Sequence, residues 1–242
     1  MARLPRLYAP RIPQLVQARF AHPLAPADAP APAAALDRIR DWLAEEIGPA
    51  DQAGGVALHA WIVLPDRITL LVTPADETAV SRLMQALGRR LGSGLMRTRV
   101  YAGRYRNALL EPGRWVSPAM IWLESLAVAT GQVSVATQWP WSSVAEHTGL
   151  SSPAPREGDR PALIDHPDYW REGDTPFARQ ATWRNHLMAG LAESQRRQIE
   201  AALSGQWALG ERIFLTHLGR LASRRVSPAP RGRPRKEPSG AT

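Results

Sequence analysis

Two neighbouring apolar runs constrain the fold of this chain more than any other feature. Residues 56–64 and 68–73 are rich in Val, Ile, Leu and Thr, and Pro65 and Asp66 lie between them. β-branched residues favour strands and a Pro-Asp pair favours a turn, so the two runs predict a β-hairpin. The chain is therefore expected to fold around a β-sheet.

Strand-like and helix-like patterns alternate on both sides of this hairpin. Residues 12–20 alternate loosely and predict a first strand, and residues 37–47 carry apolar side chains at helical spacing. Pro74 stands where a second helix can begin. The next segment predicts a helix whose apolar face is formed by Val80, Leu83, Met84, Leu87 and Leu91. A strand is then predicted over 101–111 and a helix over 117–129. The order β-α-β-β-α-β-α predicts an α+β fold, a ferredoxin-like antiparallel sheet with helices packed on one face.

Further helices are expected beyond this unit. The sequence predicts helices over 177–191, 194–203 and 211–222, the first with Thr175 as N-cap and Pro176 at its first position. From residue 223 onward Pro, Gly, Ser and Arg dominate, which predicts a disordered tail. The predicted organisation is an α+β domain over 1–150, a linker over 151–164, a helical appendage over 165–222 and a basic tail over 223–242.

Composition excludes several classes of protein. A hydrophobic fraction of 44% is enough for a buried core. No apolar run approaches the roughly 18 residues of a membrane span, and residues 1–20 lack the apolar stretch of a secretory signal. The chain has no cysteine, so it has no disulfides or thiolate metal sites. These features predict a cytoplasmic protein, and with its positive charge a nucleoid-associated one.

Positive charge is concentrated at the C-terminal end. The formal net charge is +8, and residues 219–242 contribute seven basic side chains against one acidic one, or +6. Such a concentration favours a polyanionic partner, most simply nucleic acid, and it also suits a solubilising tail. Residues 230–236, PRGRPRK, resemble an AT-hook that lies in the minor groove of A·T-rich duplex DNA. The candidate DNA contacts are Arg231, Gly232, Arg233, Pro234 and Arg235.

Five short strings, in chain order, resemble one family of proteins. They are MARLPRL at the first residue, LPDRITLLVTP from Leu64, GRYR from Gly103 with EP at Glu111, PWSS from Pro140, and HPDYW from His166 with TPFA at Thr175. Together they resemble the REP-associated tyrosine transposases of bacteria, relatives of the HUH single-strand DNA transposases. The resemblance covers nearly the whole chain and implies the HUH type of α+β fold.

The resemblance also implies a chemistry that this sequence does not carry. Members of the family cut single-stranded DNA with a tyrosine nucleophile and a divalent metal, Mg²⁺ or Mn²⁺, held by two histidines on one strand. Their metal positions correspond here to Arg67 and Thr69, the tyrosine to Trp122, and an amide ligand four residues later to Leu126. Arginine cannot ligate a cation, and indole has no oxygen nucleophile. We therefore predict no catalytic residue, no metal site and no cofactor, and the loss of DNA nicking and strand transfer.

A protein of this type can still bind DNA when it cannot cut DNA. Arg104, Tyr105 and Arg106 alternate charge and ring, which suits phosphate contact with base stacking. The same pattern fits a Tyr105 packed in the sheet between two solvated arginines. Trp139 and Trp141 are interpreted as a packed corner or a stacking platform.

Three hypotheses about function follow. The first is a protein that binds structured single-stranded DNA, and through its tail A·T-rich duplex, without cutting it. The second is an active transposase with relocated groups, for example Tyr101 or Tyr105 as nucleophile and Asp66 or Glu124 as metal ligands. The third is a remnant of a transposase with no function.

Overall fold

The computed structural model describes residues 5–25, 29, 32–47, 55–95, 98–150 and 160–228. The strands are β1 (Gln14–Arg19), β2 (Val56–Leu64), β3 (Arg67–Pro74) and β4 (Arg106–Leu109). The first helices are α1 (Ala33–Glu46), α2 (Ala79–Gly94), α3 (Val116–Glu124), α4 (Leu126–Ala129) and α5 (Val144–Thr148), with a 3-10 turn at Ala136–Gln138 before α5. The last are α6 (Pro167–Trp170), α7 (Pro176–Ala189), α8 (Glu193–Gly205) and α9 (Arg212–Leu221).

The four strands form one antiparallel sheet in the order β2-β3-β1-β4. The mixed α+β class, the antiparallel sheet and the predicted order of elements through α3 are confirmed. The hairpin turns at Pro65 and Asp66, as their residue types predict. Single bridges extend the sheet at both edges, from Ile62 to Ser142 and from Leu110 to Leu209.

Three predicted boundaries were wrong. The strand predicted over 101–111 contains regular structure only in β4, and Tyr101 makes an isolated bridge to Phe20. Pro74 is the last residue of β3, and the helix predicted to begin there, α2, begins at Ala79. The helix predicted over 117–129 is divided into α3 and α4 at Ser125.

Helices cover both faces of the sheet, so the prediction of helices on one face was wrong. Successive side chains of a strand point to opposite faces. Ala18 lines a cavity with Ser81 and Met84 of α2, whereas Gln17 and Arg19 line another cavity with Trp122 of α3. Thus α2 lies on one face of the sheet and α3 on the other.

The C-terminal helices pack on the same apolar core as the sheet. Trp183 of α7 and Ile199 of α8 are fully buried in one cluster with Leu15 of β1 and Leu123 of α3. The Thr175 side chain accepts from the backbone N–H of Ala178, as predicted for an N-cap. The division into a domain over 1–150 and an appendage stays a prediction. In the described part of the chain, no helix is long and apolar enough to cross a membrane.

The segment that follows α9 is packed as far as residue 228. Val226 is buried, its carbonyl accepts from Ala208 N at 2.8 Å, and Ser223 N donates to Tyr8 O at 2.9 Å. The prediction of disorder from residue 223 was therefore wrong for residues 223–228. The predicted AT-hook at 230–236 lies outside the described residues.

A buried carboxylate joins four elements of the structure. Glu124, at the end of α3, is 0% exposed. Its Oε1 accepts from Ser143 Oγ at 2.6 Å and lies 2.5 Å from His147 Nδ1, and its Oε2 accepts from Trp183 Nε1 at 2.7 Å. Ser143 Oγ in turn accepts from Trp61 N of β2 at 3.1 Å. The carboxylate therefore connects the sheet, α3, α5 and α7.

We expect Glu124→Ala to lower the free energy of unfolding by about 3–5 kcal/mol, because three buried donors lose their acceptor. Denaturant unfolding at neutral pH measures the change. The control is Glu45→Ala, which removes an exposed carboxylate paired with Arg90 and should cost less than about 1 kcal/mol. Equal stabilities for the two variants would contradict a structural role for the network.

A second buried polar group, His59 of β2, is held neutral. Its Nδ1 lies 2.6 Å from Ile164 O and its Nε2 lies 2.8 Å from Thr73 Oγ1. Burial, opposed in part by the hydrogen bond to Ile164, lowers the pKa of His59 to about 4, and nearby His166 and His147 lower it further. The unfolded chain takes up this proton near pH 6.5.

Acid should therefore destabilise the fold through His59. Between pH 6.5 and 4 the unfolded state binds the proton and the folded state does not, so this contribution to stability falls by about 3 kcal/mol as the pH drops through that window. Denaturant unfolding of wild type and His59→Gln at several pH values isolates the effect. The stability difference between the two proteins should shrink towards pH 4, and a difference independent of pH would refute the assignment.

Candidate nucleic-acid interface

An arginine-lined cavity of about 700 Å³ opens on the face of the sheet that α3 covers. Three strands each place one arginine in it: Arg19 of β1, Arg67 of β3 and Arg106 of β4. The register brings them together, because Arg19 pairs directly with Arg67 and the neighbouring Gln17 pairs with Arg106. All three side chains therefore point to the same face at the same end of the sheet.

Two further arginines complete the lining. Arg104 comes from the segment before β4 and Arg196 from α8, and Glu200 is the acidic residue of the lining. Like charges directly opposite each other in a sheet destabilise it, so the Arg19 and Arg67 pair is unfavourable without an anion. Asp66 offsets part of this charge, since its carboxylate lies 2.6 Å from the Arg67 guanidinium.

The cavity brings together three of the four positions that the resemblance assigns to catalytic residues. Arg67, Trp122 and Leu126 line it, whereas Thr69 is fully buried beneath. Trp122 is 7% exposed, and its Nε1 lies 3.4 Å from Glu200 Oε1. The structure thus brings Arg67 of β3 together with Trp122 and Leu126, which are more than 50 residues later in the sequence.

These side chains do not fit a divalent metal. The Arg67 guanidinium is cationic and bound by Asp66, and Thr69 Oγ1 accepts from Gln17 Nε2 at 3.1 Å. Leu126 has no ligand atom. Within the described ranges, no three His, Cys, Asp or Glu side chains lie close enough together to hold a metal ion.

The groups named for a relocated active site are buried or bound by other side chains. Burial raises the pKa of Tyr101 far above its usual value, and burial also raises the pKa of Tyr105, whose hydroxyl lies 3.0 Å from Ser81 Oγ. A raised pKa disfavours the phenolate that would attack phosphorus. Glu124 is enclosed by its three donors, and Asp66 is bound to Arg67.

The predicted GRYR contacts are divided between the two faces. Arg104 and Arg106 are exposed and line the cavity, whereas Tyr105 is 7% exposed and stacks under Arg6, whose guanidinium carbon lies 3.6 Å from the ring centre. Tyr105 is therefore packed and does not present its face to this cavity. The DNA-binding roles assigned to residues 104–106 stay predictions.

Three tryptophans outside this cavity differ in how far they are buried. Trp139 and Trp141 are buried in edge contact, with ring centres 4.9 Å apart, and their Nε1 atoms donate to Val63 O and Asp37 Oδ1. The two rings therefore form a packed corner and not a stacking platform for bases. Trp170, by contrast, is 54% exposed and carries Arg179 over its ring.

Two of the arginines that line the cavity were not predicted from the sequence. Arg19 lies at the end of β1, one side-chain alternation beyond Gln17, and Arg196 lies in an exposed part of α8. Neither belongs to a recognised string. Strand alternation alone would have placed Arg19 on the same face as Gln17, but only the register places that face beside Arg67.

No protein-family model and no curated protein matches this chain. Among solved structures, a REP-associated tyrosine transposase bound to a REP hairpin is similar, with 13% sequence identity and a TM-score of 0.49 over 68% of this chain and 100% of that chain. These values describe a distant structural relation.

The metal positions generate a direct test. Mn²⁺ should not raise the melting temperature of the native protein, because Arg67 and Thr69 cannot ligate it. Combining Arg67→His with Thr69→His places two imidazoles on one face of β3, and Mn²⁺ at about a hundred times its Kd should then stabilise the fold by about 2.7 kcal/mol. Thermal unfolding measures both, and each single variant serves as a control with one imidazole. A clear Mn²⁺ shift in the native protein would overturn this interpretation of the site.

Proposed function

We propose that this chain is a transposase-like DNA-binding protein that holds single-stranded or hairpin DNA without cutting it. The observation that carries the proposal is the cavity whose described lining contains five arginines, from β1, β3, β4, α8 and the loop before β4, and one glutamate. A polyanion is the ligand that such a lining attracts. The five strings that resemble REP-associated tyrosine transposases support DNA as that polyanion.

Phosphodiester groups suit the geometry of this site. Guanidinium groups bind phosphate oxygens through paired N–H donors, and the strand register holds Arg19, Arg67 and Arg106 on one face. The ligand would also relieve the repulsion between Arg19 and Arg67. The strand order β4-β1-β3-β2 with β-α-β-β-α-β connectivity supports the finer assignment of a ferredoxin-like sheet of the HUH type.

The side chains at this site argue against cutting of DNA. A nicking enzyme of this type needs an oxygen nucleophile and a metal to polarise the phosphate. Trp122 supplies no oxygen, and Arg67, Thr69 and Leu126 supply no adequate metal ligands. We therefore favour binding over an active transposase, and over a remnant because the cavity arginines are gathered from five separate parts of the chain. The cytoplasm, in contact with the nucleoid, is the location in which such a partner occurs.

The proposal predicts salt-sensitive binding of labelled hairpin DNA with an unpaired extension, and no cleavage with Mg²⁺ or Mn²⁺. Arg106→Gln should weaken binding about tenfold and reduce the slope of log affinity against log salt by about one, since one phosphate contact is lost. Fluorescence anisotropy measures affinity, and a denaturing gel detects nicks and covalent adducts. Arg114→Gln is the matched control, because Arg114 is exposed and lies outside this cavity.

Each result separates the hypotheses. Binding without nicks or adducts supports the proposal. A covalent adduct would establish a relocated nucleophile, and its mass after digestion would locate the residue. Absence of binding at low salt would refute the proposal in favour of the remnant.

A further inference from the structure

A second basic cavity, of about 650 Å³, lies on the opposite face of the sheet. Ala18 of β1 marks that face, and Ser81, Met84, Gln85 and Gly88 line the cavity from one side of α2. Its volume is within the range of about 300–1,000 Å³ that small-molecule sites occupy. No part of the function proposed above uses it.

The lining combines positive charge with aromatic rings. Arg6, Arg89, Arg99 and Arg104 line the cavity together with Tyr101 and Tyr105, and none of the described lining residues is acidic. Arg89 and Arg99 are exposed. The Tyr101 ring already stacks on Phe20 and the Tyr105 ring lies under Arg6, so the Arg6 guanidinium is the planar group that the cavity offers. A phosphate group with an attached planar base fits such a lining, because the exposed arginines bind the phosphate and the base stacks on a guanidinium.

The inner wall carries donors that lack protein partners. Among the described residues, the Nε of Arg6 and the hydroxyl of Tyr101 are buried without a hydrogen-bond partner. The guanidinium of Arg6 lies over the Tyr105 ring, with its central carbon 3.6 Å from the ring centre, so this contact already positions the planar group. Gly88 lets the Tyr101 ring pack close against α2, since a Cβ there would lie 3.0 Å from that ring.

The two cavities meet at one short segment. Gly103 and Arg104 line both of them, immediately before β4. A single nucleic-acid strand held by its phosphates in the first cavity can therefore continue across Gly103 to the second, because no described residue lies within 4 Å of the place where a Cβ would stand at Gly103. We propose that the second cavity binds one unpaired nucleotide of the same DNA strand, with its phosphate on Arg89 and Arg99.

This inference rests on the proposed function, and hairpins with and without unpaired nucleotides test the two separately. For the wild type, a four-nucleotide unpaired extension should increase affinity roughly five- to hundredfold over a hairpin without extension, the range expected for one stacked base. The double variant R89Q/R99Q should lose this gain and keep the affinity for the hairpin without extension. Abasic sites in the extension should reduce the gain for wild type, which tests the base contact without changing the protein.

The control is R38Q/R114Q, which removes two exposed positive charges outside both cavities and should keep the gain. If wild type binds both hairpins equally, the second cavity does not hold a nucleotide while the proposed function stands. If R89Q/R99Q weakens both hairpins by the same factor, Arg89 and Arg99 act only through long-range charge, and the inference is overturned. If wild type binds neither hairpin, both proposals fail.

Discussion

The carboxylate of Glu124 is the interaction on which the arrangement of this molecule depends. Burial of an isolated carboxylate is prohibitively unfavourable, so the group is stable only where its donors converge. Ser143, His147 and Trp183 provide them, and through Ser143 the network reaches β2. Burial disfavours the protonated imidazole, but the charge and hydrogen bond of Glu124 outweigh it and raise the pKa of His147. The end of α3 is thereby fixed relative to the sheet and α7.

Fixing α3 determines what the sheet face can bind. Trp122 lies two residues before Glu124, so the helix turn that holds the carboxylate also places the indole against the cavity. The packed indole, donating towards Glu200 of α8, closes one side of the site with an apolar wall. The arginines of β1, β3 and β4 form the opposite side. The cavity is therefore a product of two separate constraints, a buried ion network and a strand register.

Much of the fold was predictable because its signals are local. The hairpin follows from β-branched runs around Pro65 and Asp66, and α2 follows from apolar residues at helical spacing. Local signals failed where tertiary contacts decide: Ser125 interrupts a helical pattern, and residues 223–228 are ordered by contacts with Tyr8 and Ala208. For the candidate site, one string contains Arg67, and the resemblance pointed to Trp122 in the helix that follows Glu111 and Pro112. Arg19 and Arg196 were not predictable, because strand register and helix packing join positions that are far apart in sequence.

An arginine and a metal ion at the same place attract DNA in a similar way but support different chemistry. A divalent ion and a guanidinium both attract a phosphodiester, but only the ion withdraws electron density as a Lewis acid. A guanidinium also keeps its proton at every physiological pH, so it does not act as a general base. Arg67 beside Arg19 thus carries positive charge where the resemblance places the metal, and Trp122 stands where the resemblance places the nucleophile. Under the function proposed above, affinity for DNA and the capacity to cut it are therefore separable, since guanidinium groups supply the attraction without the Lewis acid or the nucleophile that cutting requires.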